Sequence, residues 1–453
     1  MRYYIENFGC QMNEHDMEKV NHLLHVAGFD TAPGLEEAGI VIVNTCCIRE
    51  KAEQKFYSLM GRLRGLKRKR DVVLGVMGCI AQLEKEKLLE RLPFIDFSLG
   101  PASIHLVAEA VHAGLAKRRF FDFSDNGCLS SLYVRPGNIN GRIKAYVTIM
   151  KGCNNYCSYC IVPFVRGREK SRPSGDVLDE VRELVASGVK EVVLLGQNVN
   201  SYNKGGDDCS FPDLLRGMDG IAGLERIRFV TSHPRDLSDE LIDCFGGVKK
   251  LCEHIHLPFQ SGSNRILHLM NRGYTIEEYR GKIARLKETC GGIAVTADCI
   301  VGFPGEEEAD FRQSMDLVEK TGFDGIFSFC FSPRRHARAS LLPDPVPAHV
   351  ARRRLGELQA VQKGITRDIF TGMEGAMSEV LVEGVSKGSQ AELTGRTRTN
   401  RIVNFQGPAH MIGELVELEI VKGYANSLRG AKPRINDPAA SSRVSKTTSG
   451  ASL

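Results

Sequence analysis

Read as a string of apolar and polar positions, the first 117 residues repeat one pattern. Extended apolar runs at 2–8, 39–45 and 71–77 are each followed by a segment of helical spacing, at 13–27, 49–69 and 81–91. A fourth unit pairs 94–100 with 102–116. Such alternation predicts a parallel sheet with helices on its faces. Residues 118–138 lose the pattern and mix Asp, Ser, Asn, Gly and Pro with scattered aromatics, as a linker does. Six more strand candidates follow at 144–150, 191–195, 226–231, 254–258, 295–301 and 326–331, with helical segments between them. They predict a partial (β/α)6 barrel or a broad open sheet, and both put functional groups at the strands' carboxyl ends. Short alternating strands at 377–382, 401–405 and 415–420 predict a small antiparallel β-barrel. The expected organisation is α/β, with domains at 1–117, 139–369 and 372–434 and a Ser/Ala/Thr-rich disordered tail at 435–453.

Composition narrows this picture in two places. No run of 18 apolar residues occurs and the N-terminus lacks the apolar stretch of a signal peptide, so the expectation is a cytoplasmic protein with no membrane partner. Fourteen cysteines in a reducing compartment point to metal or cluster ligation rather than to a disulfide framework. The net charge of +5 permits a polyanionic partner without demanding one.

Cys153, Cys157 and Cys160 follow an extended run with the spacing C-x3-C-x2-C, in KGCNNYCSYC. Three thiolates in one small polar loop can wrap a single centre. Zinc normally takes a fourth ligand, and no Cys or His stands nearby to supply it. A cubane iron-sulfur cluster held by three cysteines leaves one iron open, which gives the missing ligand a purpose. A three-cysteine zinc site completed by a distant residue is the competing reading.

The motif resembles that of the radical S-adenosylmethionine superfamily. The resemblance implies that the open iron chelates the amino and carboxylate groups of S-adenosyl-L-methionine, that Tyr159 lies near its adenine, and that reductive cleavage yields a 5′-deoxyadenosyl radical. In such enzymes the protein positions and the cofactor supplies the reactivity. Further contacts to cofactor or substrate are expected at other strand ends, at Gln197 and Asn198, Ser232, Gln260 and Gly302. For each alone an ordinary turn is as good a reading; their shared placement favours a ligand. His233, His254 and His256 read as hydrogen-bonded structural histidines.

Cys10, Cys46 and Cys79 are far apart in sequence, yet each sits where a strand gives way to a helix, in FGCQMN, NTCCIRE and MGCIAQ. Parallel strands would bring the three thiols to one sheet edge, beside helix N-termini that favour thiolates. Cys46 and Cys47 are adjacent, so one of them is not a ligand.

With GCQMNEHD, NTCCIREKA, VMGCIAQ, CNNYCSYCIVPFVRGREKSRP, LLGQNVNSY, LPFQSGSN and GRTRTNRIVNF, the chain from 3 to about 430 resembles the methylthiotransferases, closest to the tRNA-2-methylthio-N6-dimethylallyladenosine synthase branch. The resemblance implies two 4Fe-4S clusters, Cys46 rather than Cys47 as ligand beside Cys10 and Cys79, and structural roles for the remaining seven cysteines. It implies conversion of N6-dimethylallyladenosine to its 2-methylthio form at position 37 of tRNAs reading codons that begin with U, by a monomer. The anticodon stem-loop would be the RNA partner, with an electron donor and a sulfur donor whose identities the sequence does not give. The C-terminal barrel resembles the TRAM module, with Arg396, Arg398 and Arg401 as RNA contacts. Seven Lys/Arg balance seven Asp/Glu over 374–432, so that surface must be local. Six basic residues in 61–70, and Arg166, Arg168 and Arg172, are further phosphate-contact candidates, although a basic run at helical spacing is more often a solvated face. Where the family reads Y-S-P-R-P-G-T, this chain has Phe331-Ser332-Pro333-Arg334-Arg335-His336-Ala337, which should alter that turn and add positive charge. Rival readings are methylthiolation of threonylcarbamoyladenosine in tRNA or of a ribosomal-protein aspartate, and a non-catalytic iron-sulfur or zinc protein that binds RNA. Met12, Asn13, Ala81 and Gln82 favour the dimethylallyl branch.

Overall fold

The computed structural model describes residues 1–46, 50–124 and 141–433; Cys47, Cys128 and the tail expected at 435–453 lie outside them. The chain divides into a unit of Met1–Ile365 and a unit of Thr366–Leu453. The first opens with β1 (Arg2–Phe8), α1 (Gln11–Val26), β2 (Asp30–Thr31), β3 (Ile40–Thr45), α2 (Glu50–Lys69), β4 (Val73–Gly78), α3 (Cys79–Glu84), α4 (Glu86–Arg91), β5 (Phe97–Leu99), α5 (Val107–Leu115) and β6 (Phe120–Asp122). These strands form one parallel sheet in the order β2-β1-β3-β4-β5-β6. Every residue of β3 and β4 is buried, because helices cover both faces of the sheet and leave no polar side for alternation. Two short edge strands, β2 and β6, escape the sequence pattern. β6 carries the sheet to Asp122, into the stretch expected to be linker. The helix expected over 81–91 is two, broken at Lys85, whose φ is +44°.

The centre of this unit runs β7 (Lys144–Thr148), β8 (Met150–Lys151), α6 (Val162–Arg166), β9 (Lys170–Ser171), α7 (Ser174–Ala186), β10 (Glu191–Leu195), α8 (Phe211–Asp219), β11 (Arg226–Phe229), α9 (Asp239–Gly247), β12 (His254–His256), α10 (Asn264–Leu269), α11 (Ile276–Thr289), β13 (Ala294–Val301), α12 (Glu308–Thr321), β14 (Gly325–Cys330) and α13 (Ala348–Thr371). Parallel pairing orders the six main strands as β7-β10-β11 and β12-β13-β14, and a parallel bridge between Ile227 and Leu251 joins the two triplets. This is the partial (β/α)6 barrel. Hydroxyl N-caps at Ser210, Ser238, Ser263 and Thr275 start α8 to α11 by accepting from first-turn amides.

The second unit is a closed barrel of β15 (Met377–Ser386), β16 (Ser389–Thr397), β17 (Ile402–Gln406), β18 (Leu415–Gly423) and β19 (Leu428–Gly430). Its pairs are antiparallel except β17 with β19, which run parallel. Phe370, Val380, Val382, Leu393, Val403 and Phe405 fill its core.

Candidate active site

The N-terminal thiols meet because three neighbouring strands end in register. Phe8 pairs with Thr45 and Thr45 with Gly78, so the residues just beyond them leave the sheet side by side. Gly78 has φ +92°, and a Cβ there would lie 2.2 Å from Asn44 Oδ1, so only glycine admits this turn before Cys79. Below the thiols runs a buried amide ladder. Asn13 Nδ2 donates to Asn44 Oδ1 at 3.4 Å and Asn44 Nδ2 to Asn7 Oδ1 at 3.0 Å. Cys46 hydrogen-bonds both Cys10 and Cys79. The Cys46 thiol donating to Cys10, aided by the charge of Arg166, holds Cys10 down at about 6, while the same bond and burial push Cys46 upward.

The C-x3-C-x2-C loop is closed at its base by β8 pairing antiparallel with β9. Gly152, at φ +79°, lies where a Cβ would meet the Arg168 carbonyl at 2.0 Å. The Cys153 amide donates to the Gly167 carbonyl and the Cys160 amide to the Cys157 carbonyl. On the far side Ser158 Oγ donates to the Leu269 carbonyl at 2.8 Å and Asn271 Nδ2 to the Tyr156 carbonyl at 3.0 Å. Burial is the main cause that pushes Cys153 up to about 11 and Cys160 up to about 12, and for Cys160 it outweighs the opposing charge of Arg272. Arg272, which no sequence motif marks, is the cation of this site. Its buried guanidinium donates to Cys157 Sγ at 3.3 Å, to the Tyr159 hydroxyl at 3.2 Å and to the Pro258 carbonyl at 2.8 Å. A lone arginine between α10 and α11 carries no signal until the chain has folded back on the cysteine loop.

The residues expected at the other strand ends divide by role. Gln197 Oε1 accepts from the Gly152 amide and so shapes the cysteine loop. Gly302, φ +72°, donates to Glu306 and has no room for a Cβ against Ala351. Asn198 Nδ2 donates to Asp236 at 2.7 Å, leaving its Oδ1 buried without a hydrogen-bond partner, and the same holds for Ser232 Oγ and Gln260 Oε1. Three orphaned polar atoms along one strand edge suit a polar ligand, since buried groups normally find partners. The thiol donor set beside them suits a cluster. Among the described residues no three His, Cys, Asp or Glu side chains surround one ion position, and thiols that grip separate corners of a cubane need not do so. His233, His254 and His256 are hydrogen-bonded, to the Arg235 amide and to Thr296. Burial and neighbouring cations hold His233 neutral, with Nε2 4.0 Å from Cys157 Sγ.

Both thiol sets belong to the first unit, and the helix that follows one packs against the other. Cys79 lies in an apolar cluster with Ile161 and Val165 just beyond Cys160, and with Ala337. Arg166, ending α6, pairs with Asp16 of α1 at 2.8 Å, both side chains buried, and its charge reaches Cys10 and Cys79. Met12 packs on Val193 and Leu195 of β10.

Residues 2–100 match the family described as uncharacterized protein family UPF0004, 147–318 the radical SAM superfamily and 372–432 the TRAM domain. A Geobacter metallireducens protein named tRNA-2-methylthio-N(6)-dimethylallyladenosine synthase is 50% identical over 94% of this chain and 97% of its own. The chain belongs to this synthase family. Proteins of the same name from Syntrophus aciditrophicus and Geobacter sulfurreducens are 47% and 48% identical over 94% of the chain and 93% and 96% of theirs. Among solved structures, the radical S-adenosylmethionine methyltransferase TsrM from Kitasatospora setae shares the fold, with TM-score 0.55 at 14% identity over 75% of each chain.

Three sets of basic residues expected near the RNA make contacts within the chain. Arg166 and Arg172 are buried and internally paired, Arg172 with Glu180 at 2.5 Å, which removes them as phosphate contacts and leaves Arg168 exposed. In the departing loop, Arg334 pairs with Glu53 and Arg335 with Glu84, so the added charge is met by carboxylates of the N-terminal sheet region. In the second unit, Arg396 bonds Asn400 and pairs with Glu383, and Arg401 donates to Met373 Sδ over the Phe370 ring, both knitting the β16–β17 hairpin to the barrel.

Proposed function

We propose that the chain converts N6-dimethylallyladenosine to its 2-methylthio form at position 37 of tRNAs that read codons beginning with U, using two 4Fe-4S clusters and S-adenosyl-L-methionine. The observation that carries this reading is that Cys79 shares an apolar cluster with α6, the helix after Cys160, while Arg166 of that helix pairs with Asp16 of the helix after Cys10. Cys153, Cys157 and Cys160 would hold the cluster that binds S-adenosyl-L-methionine; Cys10, Cys46 and Cys79 would hold the second, Cys47 being the excluded neighbour. When bound, these groups supply a carbon-centred oxidant for the C–H bond and the sulfur that replaces the hydrogen. Arg272 neutralises thiolate charge at Cys157 and fixes the Tyr159 hydroxyl. Asn198, Ser232 and Gln260 offer unspent polar atoms to the cofactor. Arg166 holds α1, which follows Cys10, to α6, which follows Cys160. The match to the TRAM domain supports tRNA as the macromolecular substrate, with Arg396, Arg398 and Arg401 on its RNA-facing segment. Nucleoside mass spectrometry of tRNA from cells with and without the chain tests the reading. The 2-methylthio-N6-dimethylallyladenosine peak should vanish with the gene, the unthiolated nucleoside accumulating in its place; loss of a threonylcarbamoyl derivative instead would refute it.

A further inference from the structure

The inner face of the partial barrel is filled on one side and open on the other. On β10 and β11 the inward positions carry a buried ion pair, Arg228 with Glu191 at 3.0 Å, and the apolar Val193 and Leu195 capped by Met12. All four of these strand side chains are buried. On β12 to β14 the alternation sends Ile255, Val295, Ala297, Cys299 and Val301 outward into the helix-covered core, and Gln359 of α13 bonds Ser328 from outside. The opposite positions face the lumen, and register aligns His256 with Thr296, Asp298 with Phe327 and Ile300 with Phe329.

Two properties of this inner strip stand out. Phe327 and Phe329 are 59% and 43% exposed, although they lie on a strand flanked by a helix on its other face. Their polar neighbours form a short chain: His256 Nε2 is 3.4 Å from Asp298 Oδ1, its Nδ1 3.0 Å from Thr296 Oγ1, and its ring meets Phe327 edge-on at 5.9 Å. The strip is continuous with the radical-cluster motif, because Ile300 and Phe331 cluster with Tyr159 at its upper end.

We infer that this strip is the seat of the modified base, with Phe327 and Phe329 taking the dimethylallyl chain and Asp298, held by His256, accepting the remaining N6–H. The assignment rests on the proposed function and names what selects its substrate. Alkylation leaves adenine a single exocyclic N–H donor and adds a branched apolar group, which is the complement of one carboxylate beside two exposed phenyl rings. A threonylcarbamoyl group would bring its own carboxylate against Asp298 and the same rings, a like-charge contact that disfavours it.

The test uses full-length, cluster-reconstituted enzyme and three anticodon stem-loop RNAs, carrying dimethylallyladenosine, unmodified adenosine or threonylcarbamoyladenosine at the target position. Phe327→Ala should lower kcat/KM for the dimethylallyl RNA by roughly tenfold or more, mostly through KM, as loss of an apolar pocket wall does. It should change any turnover of the unmodified RNA by less than about threefold, so that the preference collapses. Phe327→Leu should keep most of the preference, and Asp298→Asn should lower it while relaxing rejection of the threonylcarbamoyl RNA. Iron content and circular dichroism confirm that each variant folds and loads. A Phe327→Ala enzyme with an unchanged preference would overturn the base seat while leaving the function standing. A wild-type enzyme that thiolated the threonylcarbamoyl RNA and not the dimethylallyl one would overturn both.

Discussion

His15 illustrates how a single buried side chain sets a pH limit. Its ring is 1% exposed on α1, with Nδ1 3.1 Å from Glu18, and burial, reinforced by the charge of Lys19, lowers it to about 4. The unfolded chain binds this proton near pH 6.5 and the folded chain does not, so its contribution is complete above that pH and lost as pH falls toward 4. At pH 5 the loss is about 2 kcal/mol. Urea unfolding at pH 7.5 and 5.0 should therefore show a steeper acid loss for the native chain than for His15→Gln; parallel profiles would contradict this. His336 makes a backbone argument at the same scale. It occupies φ +71°, in the left-handed region that favours glycine, at the position where the resembling family has glycine. Replacement by Gly should leave stability within about 1 kcal/mol, whereas His336→Val should cost about 1–3 kcal/mol in the same urea measurement.

Among elements, the short helix α6 does most to organise the site. Arg166 and Asp16 come from segments 150 residues apart, and their pair is buried. Removing one partner strands the other charge. Arg166→Gln should cost about 3–5 kcal/mol, and a doubly apolar Arg166→Met, Asp16→Leu chain should recover much of it, readable as urea midpoints. This pair also marks the limit of what the sequence disclosed. Cys10, Cys79, Cys153, Cys157 and Cys160 could be proposed as ligands from strand ends and close spacing, which are local signals, whereas Cys46 over Cys47 came only from the family resemblance; the long strands were legible from their apolar runs. β2, β6 and β19 are too short to show a period, and β16 hides in a polar stretch whose pairing supplies its order. Arg166 and Arg172 read as surface charge because residue type does not report burial. The role of Arg272 and the packing of α6 against Cys79 arise only when distant segments pack, which no local pattern encodes.

On the scale of the whole molecule, the proposed function assigns chemistry and RNA affinity to different units. All six proposed cluster cysteines lie in Met1–Ile365, and the TRAM match lies in the second unit. Deleting residues 374–453 should preserve iron content and reductive cleavage of S-adenosyl-L-methionine while weakening tRNA binding. The log-log salt slope of binding should become shallower by about 0.7–0.9 for each phosphate that the shortened chain no longer neutralises. Equal affinity with an unchanged slope would put the RNA site on the first unit's basic surface. The central claim is that the two thiol triads do separate jobs, and one paired measurement addresses it most directly. Reconstituted triple-alanine variants at Cys10, Cys46 and Cys79, or at Cys153, Cys157 and Cys160, are assayed on one dimethylallyl stem-loop for 5′-deoxyadenosine and methylthiolated product. The second variant should form neither, and the first should form 5′-deoxyadenosine without inserting sulfur. Methylthiolated product from the variant lacking Cys10, Cys46 and Cys79 would contradict the division of labour.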